Sequence, residues 1–261
     1  MQEEIEKQIQ EKIPLIKNKT HILHFSTGAD SVACYLRLRE WGIKPILIYD
    51  YFLPDIPMVN NYIDYFEKKF DVKVYKLPST LYYEQTDNAL WQLPIKARET
   101  FRNHITKYEY WKKTTNKIRN EILKYLNLKK DEVIFHKGLR YTDGQFRYLS
   151  IIKNGVLTKQ NTFLPIASFK VSDIQEILKK YDCKLPIEYG LWGISFESLR
   201  SWNAELIEKN CPKSWEYMKQ YFPMIQTLKY RDNYNKLNMH FKRRLTQYKE
   251  FAIDKSLYEE W

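Results

Sequence analysis

The stretch His21-Ile22-Leu23-His24-Phe25-Ser26-Thr27-Gly28-Ala29-Asp30-Ser31 decides how this chain is read. A short apolar run, strand-like in character, ends in a turn of small residues. From Ser31 to Trp41 the pattern changes to helical, with Val32, Ala33, Leu36 and Leu38 apolar, and Gly42 is a natural helix stop. Strand, small-residue turn and helix together make an anion-binding device. The turn exposes backbone N–H groups, and the helix start adds the positive end of its dipole. Ser26, Thr27 and Ser31 supply hydroxyls, and Gly28 lets the backbone approach a ligand closely. The loop is neither a Walker A sequence nor a GxGxxG fingerprint. Read from these residues alone it is equally an ordinary N-cap turn, since Asp and Ser are good caps.

Working outward, the βα rhythm repeats. Ile5, Ile9, Ile13 and Ile16 recur at helical spacing across residues 2–17. Lys44 to Asp50 reads as a buried strand ending in a carboxylate, residues 57–70 as an amphipathic helix, and Val72 to Leu77 as a third strand closed by Pro78. Strands alternating with helices imply a parallel sheet, whose ligands bind at the carboxyl ends of the strands. Both Ser26–Ser31 and Asp50 fall at such ends. Residues 84–128 break the rhythm as a helical insertion rich in aromatic and basic residues, among them Trp91, Arg98, Trp111 and Lys117. The sheet resumes at Glu132 to Lys137, followed by Gly138-Leu139-Arg140. Turns at Gly144 and Lys153-Asn154-Gly155 suggest an irregular or hairpin segment. Thr162 to Ala167 reads as the last strand, and a helix starts near Ser172. From Phe196 onward the chain reads as helical, broken at Pro212 and Pro223, with a basic run from Arg231 to Lys249. The expected fold is α/β: a three-layer sandwich with a mostly parallel sheet of about five strands, plus a C-terminal helical region. A nucleotide-binding domain over residues 1–195 and a helical extension over 196–261 are the expected divisions.

Composition narrows the function classes. The chain has 261 residues, 44% of them hydrophobic and 16% aromatic, enough for a large core. Mean hydropathy is −0.60, but disordered chains are poor in aromatics. No stretch suits a membrane helix, the first residues lack a signal-peptide core, and a cytoplasmic location is expected. Three scattered cysteines, Cys34, Cys183 and Cys211, give no metal or cluster spacing. Lys and Arg number 43 against 32 Asp and Glu, a net charge of +11, which favours polyanionic partners: nucleotides or nucleic acid. The five histidines show no ligand spacing, and those in strands read as packed residues.

Phe25-Ser26-Thr27-Gly28-Ala29-Asp30-Ser31 resembles the Ser-Gly-Gly-x-Asp-Ser loop of the PP-loop adenine-nucleotide α-hydrolase superfamily, with Thr27 in place of the first glycine. Within it, the chain is most similar to the phosphoadenylylsulfate (PAPS) reductase-like family. Ile48-Tyr49-Asp50 with Pro54, Gly138-Leu139-Arg140 with Arg147, and Phe163-Leu164-Pro165-Ile166 followed by Asp173 stand in that family's order. The resemblance spans about residues 20–200. The Glu-Cys-Gly-x-His motif of the reductases is missing, so reduction of a sulfonucleotide is not expected. The resemblance implies an enzyme that binds ATP or PAPS, with Mg²⁺, and acts at the α-phosphate by pyrophosphatase, nucleotidyl-transfer or sulfotransfer-related chemistry. Ser26, Thr27, Gly28, Ala29, Asp30 and Ser31 would hold the phosphates with Gly138, Arg140 and Arg147. Arg140 would meet a phosphate or sulfate bidentately, and Asp30 would hold Mg²⁺ or cap the helix. Asp50 would meet ribose or metal. Asp30 and Arg140 are the catalytic candidates, and Lys117 is a further cation. The alternatives are a nucleotide-binding regulatory module without turnover and a nucleic-acid modifying protein gripping a polynucleotide with its basic helices. A homo-oligomer or a further protein partner fits either.

Overall fold

A computed structural model describes residues 1–79, 115–199, 201–223, 225–226 and 239–254. Five strands form one parallel sheet: β1 (Thr20–His24), β2 (Ile46–Tyr51), β3 (Val74–Pro78), β4 (Val133–His136) and β5 (Thr162–Phe163), in the order β3-β2-β1-β4-β5. The register is direct, with Leu23 opposite Leu47 in β2 and His136 in β4. The α/β class and the strand number expected from the sequence are those observed.

Around the sheet lie α1 (Gln2–Ile16), α2 (Ala29–Glu40), α3 (Pro57–Phe70), α4 (Thr115–Tyr125), α5 (Gln145–Asn154), α6 (Val171–Lys180), α7 (Glu188–Leu191), α8 (Ser201–Asn210), α9 (Pro212–Tyr221) and α10 (Met239–Tyr248). Helix α3 shows why such segments fold. Pro57 opens it with φ already helical, and Met58, Val59, Tyr62, Ile63, Phe66 and Phe70 make one buried face. Asp71 ends it in the left-handed conformation, φ 51°.

The strands are apolar on both faces, as a parallel sheet covered on both sides requires. Leu23, Phe25, Leu47 and Tyr49 face α2, α3, α6 and the C-terminal helices in the largest core cluster, which takes in Trp192, Trp215, Tyr248 and Phe251. A smaller cluster joins α1 to Ile134, Ile151 and Phe163. On the opposite face Ile22, Ile48, Val133 and Phe135 pack with Ile122 and Leu123 of α4.

Two local expectations are corrected. The segment flanked by Gly144 and Gly155 is α5, not a hairpin. Both glycines have positive φ (134° and 71°) and sit at the helix ends, where they serve as caps. The last strand pairs only through Thr162 and Phe163, because Leu164 turns its N–H back to the Val156 carbonyl. The aromatic-basic residues of the expected insertion, from 84 to 114, lie outside the described residues, as do the Lys117 side chain, Arg231 and Lys236.

Candidate functional site

The strand order reverses at β1. The chain steps from β1 to β2 and β3 on one side, then returns to place β4 on the other. Open α/β sheets bind ligands in the crevice at such a switch point, above the carboxyl ends of the strands. Two segments leave the sheet there: Phe25–Ala29 after β1 and Lys137–Arg140 after β4.

The first is shaped by one unusual residue. Thr27 has φ 59°, in the left-handed region. This is the position at which the resembled loop carries glycine, and a β-branched residue is costly there. Its side chain is buried, with the hydroxyl donating to the Ser26 carbonyl at 2.6 Å. Gly28 caps α2, the Ser31 hydroxyl donates to its carbonyl at 2.9 Å, and the Ala29 N–H donates to the Tyr189 hydroxyl at 2.7 Å. Ser26 is exposed. The second segment presses on the first. A Cβ on Gly138 would stand 2.6 Å from the Asp30 carbonyl oxygen and 3.0 Å from the Ser31 nitrogen, so only glycine lets the two loops meet.

Asp30 is expected to cap α2 or hold a metal, and it is placed differently. It makes no side-chain cap. Its Oδ1 lies 2.8 Å from Arg140 Nε and its Oδ2 lies 3.2 Å from Arg244 Nη2. Burial raises its pKa against the pull of those two guanidiniums. Arg140 is likewise turned from its expected place. It is buried beneath the loop and does not line the cleft, and its Nη2 sits 2.6 Å from Asp143 Oδ1. Asp143 also holds Arg147 at 2.8 Å. A chain of alternating charge thus runs Arg147–Asp143–Arg140–Asp30–Arg244, three cations to two anions.

Above it opens a cleft of about 560 Å³, within the range of small-molecule sites. Ser26, Gly28, Asp30 and Ser31 of the first loop line it together with Lys137, Gly138 and Leu139 of the second. Arg147 of α5, Arg244 of α10, and Tyr189, Ile194, Ser195 and Glu197 line it as well. His24 and Asp50 complete it, His24 Nδ1 lying 3.3 Å from Asp50 Oδ2. Lys137 is half-buried, and that burial, with Arg119 nearby, lowers its pKa although Asp50 opposes the shift. Glu188, fully buried, is pushed up to about 8 by desolvation. It accepts backbone hydrogen bonds from its own N–H and from Phe196, holding the segment that carries Ser195.

Of the residues expected at the site, Ser26, Gly28, Asp30, Ser31, Asp50, Gly138 and Arg147 come together on the cleft. Thr27 and Ala29 shape the loop from beneath, and Arg140 stands behind it. Sequence reasoning leaves Lys137, Tyr189, Ser195, Glu197 and Arg244 unassigned. Arg244 reads in the sequence as part of a solvated basic helix, but its guanidinium points inward to a loop 214 positions away. The three cysteines are buried and none lines the cleft. Burial raises the thiols of Cys34 and Cys183, the latter to about 12. Of His24 and His136, expected as packed strand residues, His136 is buried and stacks on His21, whose Nδ1 lies 2.8 Å from its Nε2, while His24 lines the cleft.

Fold and cleft together define an α/β protein with a charged crevice at its topological switch point, lined by three cations (Lys137, Arg147, Arg244) and three carboxylates (Asp30, Asp50, Glu197). No family model matches the chain, and no curated protein matches it. Among solved structures it is similar to the NH3-dependent NAD synthetase from Campylobacter jejuni subsp. jejuni in complex with the nitrate ion. The identity is 15% and the TM-score 0.42, over 87% of this chain and 94% of that one.

Proposed function

We propose that this chain is an ATP-using enzyme of the PP-loop type, in which an acceptor attacks the α-phosphorus and pyrophosphate leaves. The observation that carries the reading is convergence. Lys137, Arg147 and Arg244 come from three separate elements and meet the start of α2 in one crevice. Cations and oriented amides in a partly desolvated cleft neutralise charge on phosphate oxygens as it develops. Ser26, Gly28 and Ser31 hold the pyrophosphate end, with Thr27 and Ala29 setting the loop path. Lys137, Arg147 and Arg244 bind the phosphates directly. Arg140 is a positioning residue that fixes Asp30, and Gly138 keeps the two loops in contact. The nucleophile's lone pair forms the new bond to phosphorus, the bond to the bridging oxygen breaks, and pyrophosphate departs with that electron pair. The acceptor's proton passes to solvent.

ATP is favoured over PAPS because no thiol is available to the cleft for sulfonucleotide reduction. Mg²⁺ binds through substrate phosphates, water and one or two carboxylates, and the cleft suits that mode. Asp50 and Glu197 both line it and are exposed, and they would hold the ion. Asp30 would not, being engaged by two arginines. Among the described residues no group of three or more His, Cys, Asp or Glu forms a cage. The ion supplies charge neutralisation on the leaving group.

Incubation with ATP and Mg²⁺, followed by phosphorus NMR, tests the reading. With water standing in as the acceptor, its oxygen attacking the α-phosphorus and its proton passing to solvent, AMP and pyrophosphate should appear from wild type and not from Arg244→Ala. Tight ATP binding with no release would instead assign a non-catalytic regulatory module.

A further inference from the structure

The two helices that reach the cleft share a composition that the other described helices do not. Neither α5 (residues 145–154) nor α10 (residues 239–248) contains an Asp or Glu, although the chain carries 32 of them. Each sends one arginine into the cleft, Arg147 and Arg244. Each also bears cations that face solvent: Lys153 on α5, Lys242 and Arg243 on α10. Both helices that reach the cleft are therefore cationic toward solvent, while the cleft itself is lined by cations and carboxylates alike.

Helix α5 adds an apolar feature. Phe146 is 91% exposed, next to Arg147. Leu149 and Ile152 follow at three-residue spacing and are 51% and 53% exposed. Ile151 is the helix's one buried residue. A phenylalanine left in water on a helix that also carries a cleft-lining arginine offers an aromatic face on which a nucleobase can stack, with the helix's cations available to the phosphates of the strand.

We infer that α5 and α10 form a docking surface for single-stranded nucleic acid, with the backbone on the outer cations and a base on Phe146, so that one nucleotide unit of the strand lies at the cleft mouth. The inference rests on the nucleotide reading for its purpose, but the docking surface stands or falls separately. Charge complementarity selects the occupant. The solvent-facing cations of both helices give a polyanion positive charge to dock on. An anionic bilayer would need apolar groups on both helices. Of the large apolar side chains described on α10, Leu245 and Tyr248, neither is exposed.

The test is fluorescence anisotropy of labelled oligo(U) and oligo(dT) with the full chain across a salt series, beside an ATP titration. Wild type should bind at low salt and weaken steeply as salt rises. Lys242→Glu/Arg243→Glu should weaken binding more than about tenfold and flatten the log–log salt slope by about 0.7 for each phosphate no longer neutralised. Phe146→Ala should weaken it about tenfold and leave the slope unchanged, because stacking carries no counterion release. Lys44→Glu/Lys73→Glu makes the same charge change at exposed sites by the opposite ends of β2 and β3, and should stay within about twofold of wild type. The inference is overturned if the oligonucleotides do not bind, if the distal pair weakens binding as much as the α10 pair, or if phosphatidylserine vesicles bind where oligonucleotides do not. Wild type that binds oligonucleotide but not ATP would sink the nucleotide reading and leave the docking surface standing.

Discussion

Gly138→Ala makes the sharpest demand on this site. The added methyl would sit 2.6 Å from the Asp30 carbonyl oxygen, 2.7 Å from its carbonyl carbon and 3.0 Å from the Ser31 nitrogen. All three are backbone atoms, so no side chain can swing aside. An ordinary contact needs about 3.4 Å or more, so the loops must part by roughly 0.8 Å. Forced overpacking of this kind costs about 1–3 kcal/mol of stability. The larger effect falls on binding. A displacement of that size stretches an amide–phosphate hydrogen bond of about 2.9 Å to about 3.7 Å, beyond useful reach. Each such bond to a charged group contributes about 1.5–3 kcal/mol, so ATP affinity should fall about 10- to 150-fold. Calorimetric titration with ATP and Mg²⁺ measures the affinity, and thermal unfolding the stability. Gly42→Ala is the control. Gly42, unlike Gly138, has positive φ (72°), and nothing lies within 4 Å of a Cβ placed there. It should lose stability through backbone strain while binding ATP normally. If Gly138→Ala binds ATP as wild type does, the contact between the loops has no part in the site and the reasoning fails.

Other outcomes follow from the same geometry. Arg244→Ala removes a cleft cation and leaves Asp30 with Arg140 alone; ATP affinity should drop at least about tenfold, and Arg244→Lys should recover only part of it, because a point charge cannot bridge two groups as a fork does. Thr27→Gly removes left-handed strain at φ 59° but loses a buried side chain; these oppose, so stability should change by less than about 1 kcal/mol and ATP binding should persist, whereas loss of binding would show that the Thr27 hydroxyl touches the ligand. Glu188 keeps its proton in the folded state up to about pH 8 and loses it near 4.5 when unfolded. The folded state therefore holds more protons between those values, and this group's contribution is present below pH 4.5 and lost as pH rises through 8. In urea unfolding at several pH values, Glu188→Gln should gain stability relative to wild type as pH rises from 5 to 8, by on the order of 4 kcal/mol; a difference independent of pH would contradict the burial argument.

Much of the fold is legible in the sequence because its signals are local. β1, β2 and β4 are short apolar runs closed by small or charged residues, and α3 carries its buried face in plain periodicity from Met58 to Phe70. Helix α5 is hidden because Gly144 and Gly155 are turn residues by type, and only their pairing as two caps around an unbroken FRYLSIIK reveals a helix. The site divides the same way. Ser26 to Ser31 and Gly138 are readable as a strand-end loop and its close neighbour. Arg140 is readable as a cation but not as a buried one, since its partners Asp30 and Asp143 are fixed by packing. One local hint exists: Asp143 stands three residues after Arg140 and four before Arg147, the spacing of side-chain pairs. For Arg244 and Tyr189 there is none. Each meets the loop across more than 150 positions of sequence, and no periodicity signals such a pairing.

The most direct test of the central claim is calorimetric titration of the purified chain with ATP, AMP and 3′-phosphoadenosine 5′-phosphate in the presence of Mg²⁺. The expected result is micromolar binding of ATP, about −8 kcal/mol, much weaker binding of AMP, and loss of the ATP signal in Ser31→Ala/Arg244→Ala with the fold intact by circular dichroism. Binding of none of the three by a folded wild-type protein would contradict it, leaving Ser26 to Ser31 as the cap of a helix and the crevice as a site for some other anion.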